Sequence, residues 1–170
     1  MAKVVKGRYA AQISENGAVL FLIGMRINQL WRPIKFVPVL LAMPRMIIEL
    51  RKYPELGLLS APRTYLSGRV IMVVQYWESF EKLEKYARSK ENVHLPAWRA
   101  FNRQIRDNGS VGIWHETYRV APGSVETVYG NMPVFGLAGA TSHVAAGKVG
   151  QSAAQRIGVR YDDITPVEPY

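Results

Sequence analysis

The sequence predicts an α+β fold with a four-stranded antiparallel sheet. Residues 18–28, 69–77 and 111–120 are runs rich in aliphatic, β-branched and aromatic side chains, each with the length of a strand. Between these runs, apolar side chains recur at helical spacing in residues 37–52 and in the segments that follow Ser79 and Pro96. At 170 residues and 48% hydrophobic, the chain is long enough for one main core, so a single main domain is expected.

The first half of the order is strand, helix, strand. Residues 18–28 form the first strand, and Pro33 has the character of a proline at a helix entry. The helix over 37–52 ends in basic residues, and Pro44 is expected to kink or divide it. Residues 58–66 make a weaker strand, which Pro62 interrupts.

The second half begins at a turn formed by Ser67 and Gly68. The turn leads into residues 69–77, whose β-branched content makes it the clearest strand of the chain. Ser79 is a candidate N-cap for the helix that follows, and Glu81 falls in the first turn of that helix. A strand and then a helix are therefore expected here.

A second short helix and a last strand complete the order. Pro96 fits the first turn of this helix, and Asn108 with Gly109 marks its end. Three apolar side chains are spaced to share one helix face, namely Trp98, Phe101 and Ile105. With a fourth strand at 111–120 the order is β-α-β-β-α-β, which is the ferredoxin-like, split βαβ arrangement.

Segments of different composition flank the core. The predicted organisation is an N-terminal extension at 1–17, the α+β barrel domain at 18–121 and a partly extended C-terminal extension at 122–170. Residues 138–158 are mainly Gly, Ala, Ser and Val with scattered polar side chains, so an extended or loosely ordered segment is expected there.

Several classes of protein are disfavoured by composition. The chain has no cysteine, which excludes disulfides, thiolate metal sites and a cysteine nucleophile. A polar segment at 12–17 separates the first lysines from the apolar run, unlike a secretory signal. The other apolar run, residues 36–50, contains prolines and charges and is shorter than the ~20 residues of a membrane span. A cytoplasmic protein without a membrane span is expected.

The net charge is strongly positive, at +9 from 22 basic and 13 acidic residues. This charge makes a nucleic-acid or anionic-membrane partner worth testing. The basic residues are nevertheless spread over the chain, without a run or a nucleic-acid motif. We therefore expect no nucleic-acid partner and interpret the charge as a basic surface that aids solubility or attracts anionic ligands.

The strands have apolar residues on both faces. In the first strand one face is fully apolar, while the other ends in Arg26 and Asn28; in residues 69–77 both faces are apolar. Helices on one side of such a sheet leave the other face exposed, with more large aliphatic groups than a monomer usually shows. A homodimer that buries the second sheet face is predicted.

Two histidines are the main candidates for chemistry. His94 precedes a helix entry and is a candidate general base or axial metal ligand, since imidazole titrates near neutral pH; the alternative is a surface residue at the helix end. His115 lies within a strand, where Trp114, Glu116 and Tyr118 share one face and Ile113, His115 and Thr117 the other. Periodicity leaves open which face meets a pocket, and a hydrogen-bonded structural histidine is the alternative.

Other side chains are candidates for substrate binding. Aromatic groups would form the walls of a pocket: Trp77, Trp98, Trp114 and Tyr118. For the three tryptophans core packing is the alternative, and it is the more common use of such residues. Polar groups would orient a carbonyl or oxyanion: Arg26, Asn28 and Gln75, of which Arg26 is also a catalytic candidate. For Arg26 and Asn28 a surface ion pair is the alternative. No Ser-His-Asp order, zinc spacing, P-loop or GxGxxG motif is present.

The passage VVQYWESFEKLEKYARSKENVHLPAWRAF, residues 73–101, resembles the antibiotic-biosynthesis monooxygenase superfamily of dimeric α/β barrels. In that pattern a tryptophan or tyrosine ends the third strand, and histidines follow on the next helix. Tyr86 stands where a first histidine often occurs, and His94 stands near the position of a second. The resemblance implies a ligand cavity between sheet and helices, used without a cofactor or with haem in different branches.

A closer resemblance, over residues 25–137, is to the DUF4188 group, which is linked to monooxygenase-like proteins of fungal secondary metabolism. Its motifs here are MRIN, PRM with EL, LGLL, QYW, HLPAW, GIWHETY and NMP-x-FGL. The resemblance implies a monooxygenase-like oxidoreductase acting on an apolar small molecule. The alternatives are a haem-dependent lyase or dehydratase, with His94 or His115 bound to iron, and a non-catalytic ligand-binding dimer.

Overall fold

The computed structural model describes residues 3–105 and 109–159. Contacts within the chain divide them into two compact units, one of residues 19–119 and one that combines residues up to 18 with those from 120 onward. The strands are β1 (Arg8–Gln12), β2 (Ala18–Ile27), β3 (Arg63–Ser67), β4 (Val70–Trp77), β5 (Val111–Val120), β6 (Tyr129–Gly130) and β7 (Ser142–Ala145). The helices are α1 (Pro33–Lys52), α2 (Phe80–Arg88), α3 (His94–Ile105), α4 (Gly136–Ala140) and α5 (Ala153–Arg156), with 3-10 turns at Pro54–Leu56 and Ala146–Lys148.

The larger unit contains the four-stranded sheet, with strand order β3-β4-β2-β5. Strand β4 pairs antiparallel with β2, from Val19 opposite Trp77 to Arg26 opposite Val70, and also with β3. Strands β2 and β4, the first and third of the β-α-β-β-α-β order, are thus neighbours at the centre of the sheet. The predicted α+β, ferredoxin-like fold is confirmed.

Helix α1 follows β2, the first strand of the four-stranded sheet, and has Pro33 in its first turn, as the sequence predicts. It runs to Lys52 as one helix and contains both Pro38 and Pro44. Of the two alternatives for Pro44, division of the helix is therefore wrong. The chain accommodates a proline here at the cost of one backbone hydrogen bond, while neighbouring side chains pack on the sheet.

The weaker strand begins later than predicted. Leu58 makes an isolated bridge to Trp77, but the strand itself starts at Arg63, directly after Pro62. Proline has no N–H to give to the sheet, so it delays the pairing. The turn into β4 lies at residues 68–69, one residue later than predicted, because Ser67 still belongs to β3.

The two later helices follow the predicted pattern. Ser79 caps α2, because its side chain accepts a hydrogen bond from the Lys82 backbone N–H at 3.2 Å. On α3, Trp98 and Phe101 stack with their ring centroids 5.5 Å apart. The predicted stop at Asn108 lies outside the described residues.

Two apolar clusters hold the helices on one face of the sheet. The first consists of buried side chains from β2, α1, β4 and α2: Val19, Leu50, Trp77, Leu83 and Tyr86. The second has Met25 and Val111 buried against α1 side chains such as Phe36 and Leu40. Val19 and Met25 lie on the same face of β2, so this is the face that the helices cover.

The smaller unit is a three-stranded antiparallel sheet with strand order β6-β1-β7. At its centre Tyr9 is only 2% exposed, stacks on Tyr129 at 4.9 Å and donates a hydrogen bond to the Pro133 carbonyl at 2.6 Å. Within residues 138–158 strand β7 is extended, whereas the expectation of an extended or loosely ordered segment is wrong for the short helices α4 and α5. Strand β7 pairs with β1, which lies more than a hundred residues earlier in the chain, and local composition does not indicate such a distant pairing.

None of the helices in residues 3–105 and 109–159 combines the length and the apolar content needed to cross a bilayer.

Candidate active site

A cavity of about 1010 Å³ lies between the helix-covered face of the sheet and helices α1, α2 and α3. This volume is at the upper end of the range for ligand sites, roughly 300–1,000 Å³. The sheet contributes mostly apolar side chains to the wall: Phe21, Ile23, Met25, Ile71 and Val73. Helix α1 adds Val39, Met43, Met46 and others, so the cavity suits a large apolar ligand.

Charged side chains line one part of the cavity: Arg45, Glu84, Arg88 and Glu91. Arg88 and Glu84 form an ion pair at 2.9 Å, one turn apart on α2, with side-chain exposures of 80% and 43%. Exposed pairs of this kind add little stability. Their exposure indicates that the cavity meets solvent on this side.

His94 is the first residue of α3 and lines the cavity. Its Nδ1 lies 2.9 Å from the carbonyl oxygen of Ala87. A carbonyl oxygen can only accept a hydrogen bond, so Nδ1 carries the proton, and in the neutral ring Nε2 carries the lone pair. A histidine held in this tautomer has one nitrogen ready to accept a proton or to bind a metal.

The Glu49 carboxylate links three helices beside His94. Its Oε2 accepts hydrogen bonds from the Tyr86 hydroxyl at 2.8 Å and from the Val93 backbone N–H at 3.1 Å. Burial of Tyr86, together with this carboxylate, raises the pKa of the phenol far above its usual range. The negative charge also lies where the partial positive charge of the α3 N-terminus favours it. Glu49 thus fixes the backbone from which His94 projects.

His115 reaches the same cavity from the sheet. Its ring centroid lies 5.7 Å from that of Phe21, and its neighbours on the same face of β5, Ile113 and Thr117, also line the cavity. Periodicity left open which face of β5 meets a pocket, and it is the face of Ile113, His115 and Thr117. The structure places His94 and His115 on two walls of one cavity, and Trp98 lines it as well, 43% exposed.

Trp77 and Gln75 do not line this cavity. Trp77 is 1% exposed in the core, where its indole N–H donates to the Gln75 side-chain oxygen at 2.9 Å. The Gln75 nitrogen in turn contacts the Met43 sulfur at 3.8 Å. Residues two apart on a strand share a face, so the Gln75 side chain lies beside Trp77. Because a buried indole N–H needs an acceptor, the Gln75 oxygen bonds to Trp77 rather than to a ligand.

Trp114, Tyr118, Arg26 and Asn28 also lie outside the cavity, contrary to expectation. Trp114 and Tyr118 project from the opposite face of β5, where Tyr118 donates to Glu116 at 2.5 Å. Arg26 donates to the Asn28 side chain, which itself donates to the Gly109 carbonyl at 2.9 Å. Side chains alternate between the two faces of a strand, so these four residues lie on the opposite side of the sheet from the two histidines. They are therefore not part of the proposed site.

Sequence reasoning missed Thr64, Thr117 and Glu49. Thr117 could have been found, because it lies two residues from His115 on the same strand face. Glu49 also had a signal, as the only acidic residue of an otherwise apolar and basic helix. Thr64 lies on the edge strand β3 and lines the cavity through its pairing with Val73, which local sequence does not show.

The fold and this cavity define a ferredoxin-like α+β protein of the dimeric α/β-barrel type. The chain belongs to the monooxygenase af470-like family, whose model matches residues 18–137. The resemblance to monooxygenase-like proteins of this superfamily is thus confirmed. The narrower DUF4188 designation stays a prediction.

A named relative is "Monooxygenase af470" of Aspergillus fumigatus, to which the chain is 30% identical over 154 residues. The match covers 77% of this chain and 53% of the relative, so the chain spans about half the length of the curated relative it matches.

Two solved structures of aldoxime dehydratases are similar in fold. One is OxdRE in complex with butyraldoxime, with a TM-score of 0.55 at 17% identity. The match covers 71% of this chain and 37% of that chain. The other has a TM-score of 0.51 at 22% identity, with 71% and 38% covered. At such identities the likeness concerns the fold alone.

Proposed function

We propose that this chain is a monooxygenase-like oxidoreductase that acts on an apolar small molecule of secondary metabolism in the cavity between sheet and helices. The observation that carries the proposal is His94, whose tautomer leaves a basic nitrogen on a residue that lines a large apolar cavity. Membership of a monooxygenase-like family supports it.

In this proposal His94 is the general base. Its Nε2 accepts a proton from an acidic O–H or C–H group of an electron-rich substrate, and the Nδ1–H bond to Ala87 holds the ring in place. The resulting anion gives electrons to O₂ more readily than the neutral substrate does. The substrate itself is the reductant: it loses two hydrogens and gains one oxygen atom, as when a phenol becomes a quinone, and the two hydrogens leave with the second oxygen atom as water. His115 and Thr117 are positioned on the sheet to hydrogen-bond a substrate oxygen.

Oxygen consumption with a panel of electron-rich polycyclic phenols tests this role. His94→Ala is expected to lower kcat by about 10²–10⁴, the usual contribution of a positioned base. His143→Ala is the matched control, because His143 lies on β7 in the other compact unit. Unchanged turnover in a His94→Ala/His115→Ala double variant would remove both histidines from the mechanism, and ligand binding without turnover would indicate a binding dimer instead.

A haem-dependent lyase or dehydratase is the second candidate, and the same observation favours it. A histidine whose Nδ1–H is bonded to a backbone carbonyl is suited to bind iron through Nε2, and the apolar wall suits a macrocycle. The residues therefore fit haem, and His94 is the residue that would bind its iron. When bound, haem would supply a Lewis-acidic iron for a nitrogen-containing substrate.

Absorption spectroscopy with added haemin separates the two candidates. A Soret band that is lost in His94→Ala and kept in His115→Ala and His143→Ala would support the second. A protein that stays colourless after haemin addition, while consuming oxygen with a phenol, would support the first.

We also infer a homodimer formed through the sheet face opposite to the helices. Alternation places large apolar side chains on that face of all four strands, among them Leu22, Tyr65, Met72, Val74 and Trp114. Tyr65 is 42% exposed and Tyr118 is 48% exposed on the same face. Such a continuous apolar surface is typical of an interface between copies.

A further inference from the structure

Helix α1 and the residues before it carry exposed apolar side chains on their outer side. Trp31 is 72% exposed, Ile34 78%, Leu41 50% and Ile48 66%. Positions 34, 41 and 48 are seven residues apart, so they lie along one line of the helix. We name the set of Leu30, Trp31, Ile34, Val37, Leu41 and Ile48 the α1 stripe; each of its members is at least 37% exposed.

The charges around the α1 stripe are of one sign. Residues 29–53 contain five basic side chains, Arg32, Lys35, Arg45, Arg51 and Lys52, and a single acidic one, Glu49. Glu49 turns inward to Tyr86 and Val93. Arg32, Arg45 and Arg51 are exposed, and none is paired with a carboxylate within residues 3–105 and 109–159.

We propose that the α1 stripe docks on an anionic lipid surface. A helix with apolar side chains on one line and cations beside it lies in the headgroup region of a bilayer, and each nearby cation adds to the attraction of anionic lipids. An exposed tryptophan at one end is the usual anchor at that depth. A second copy fits this surface less well, because it would bring five positive side chains against five others.

Docking through α1 is compatible with a dimer through the sheet. The helices cover one face of the sheet, and the inferred dimer uses the other, so α1 stays uncovered in the dimer. The inner side of α1 lines the cavity with Val39, Met43 and Met46. A docked helix therefore holds the apolar cavity close to the bilayer, where an apolar ligand dissolves. This docking surface does not depend on the reaction.

Co-sedimentation with vesicles measures the docking directly. The protein is expected to bind phosphatidylcholine vesicles that contain about 30% phosphatidylserine, and to bind pure phosphatidylcholine vesicles or the mixed vesicles at high salt at least about tenfold more weakly. Trp31→Ser/Ile34→Ser/Ile48→Ser removes apolar anchors and should weaken binding by about tenfold or more. Arg32→Gln/Arg45→Gln/Arg51→Gln should reduce the preference for the anionic vesicles, with Lys35 and Lys52 left to supply the remainder.

The control variant removes the same number of exposed apolar side chains elsewhere. Val4, Val128 and Val159, in the smaller unit, are 48%, 47% and 39% exposed, and Val4→Ser/Val128→Ser/Val159→Ser should bind vesicles like the wild type. Circular dichroism verifies folding of every variant. Wild-type protein that stays in the supernatant overturns the proposal. If the serine variant of the α1 stripe then sediments as a smaller species than the wild type, the stripe is an interface between copies instead.

Discussion

His94, Glu49 and Tyr86 acquire their chemical character from neighbours on other elements. The Ala87 carbonyl decides which nitrogen of His94 holds the proton, and Glu49 accepts hydrogen bonds from α2 and from the start of α3. Each of these groups is ordinary in isolation. Their arrangement gives the His94 ring a defined orientation, which the proposed role as a base or iron ligand requires.

The raised pKa of Tyr86 leads to a prediction about stability at high pH. Because the pKa is higher in the folded than in the unfolded chain, the protonated hydroxyl stabilises the fold fully below about pH 10, the usual tyrosine value, and this contribution is lost as pH rises through the folded pKa. Tyr86→Phe should lower the free energy of unfolding by about 1 kcal/mol at pH 7.

That difference between wild type and Tyr86→Phe should shrink above about pH 10. Urea denaturation at pH 7 and at several values above 10 checks it. A gap that stays constant would show that the Tyr86 pKa is not raised.

Glu49→Gln tests whether the carboxylate, rather than its shape, holds the three helices. Glutamine keeps one acceptor but replaces the other by an amide that cannot accept, so we expect a loss of about 1–3 kcal/mol in the free energy of unfolding. Glu91→Gln is the control, because that carboxylate is exposed at the same cavity. Equal stability of the two variants would contradict the proposed link.

At the scale of elements, alternation along the strands decides which side chains meet the cavity. His115 and Thr117 lie on the helix side of β5, whereas Trp114 and Tyr118 lie on the other. The pattern of alternation could be predicted in full from the sequence. Which face the helices cover could not, because both faces of β4 are apolar.

Trp114 lies against β2 where Gly24 leaves room for it. A Cβ at Gly24 would be 2.6 Å from the Trp114 indole nitrogen and 2.9 Å from the Ile71 carbonyl oxygen, so Gly24→Ala should destabilise the fold by about 1–3 kcal/mol. At Gly112 on β5 the nearest atom would be 3.8 Å away, and Gly112→Ala should have little effect. Thermal unfolding of the two variants compares them, and equal midpoints would argue against this close packing.

At the scale of the whole molecule, the two faces of the four-stranded sheet have different roles. One forms the core and the cavity with the helices, and we infer that the other joins two copies. Because the two faces carry different side chains, a substitution on the open face can test the dimer without changing the lining of the cavity.

Leu22→Glu places a charge at the centre of the open face, next to Val74 on β4, and should convert a dimer to a monomer in size-exclusion chromatography with light scattering. Leu66→Glu is the control, since Leu66 is 75% exposed and pairs with Ile71 on the helix side of the sheet. A wild-type protein that is monomeric at micromolar concentration would rule out the inferred dimer.

The sequence by itself determined the order of strands and helices in residues 18–120, the helix starts at Pro33 and Ser79, and two histidines as candidates for chemistry. These features follow from local periodicity and capping, which neighbouring residues specify. Only the tertiary structure decided that His94 and His115 share a cavity, that Gln75 serves Trp77, and that β1 pairs with β6 and β7. The physical reason is that these contacts join residues far apart in the chain, and several arrangements would satisfy the same local pattern.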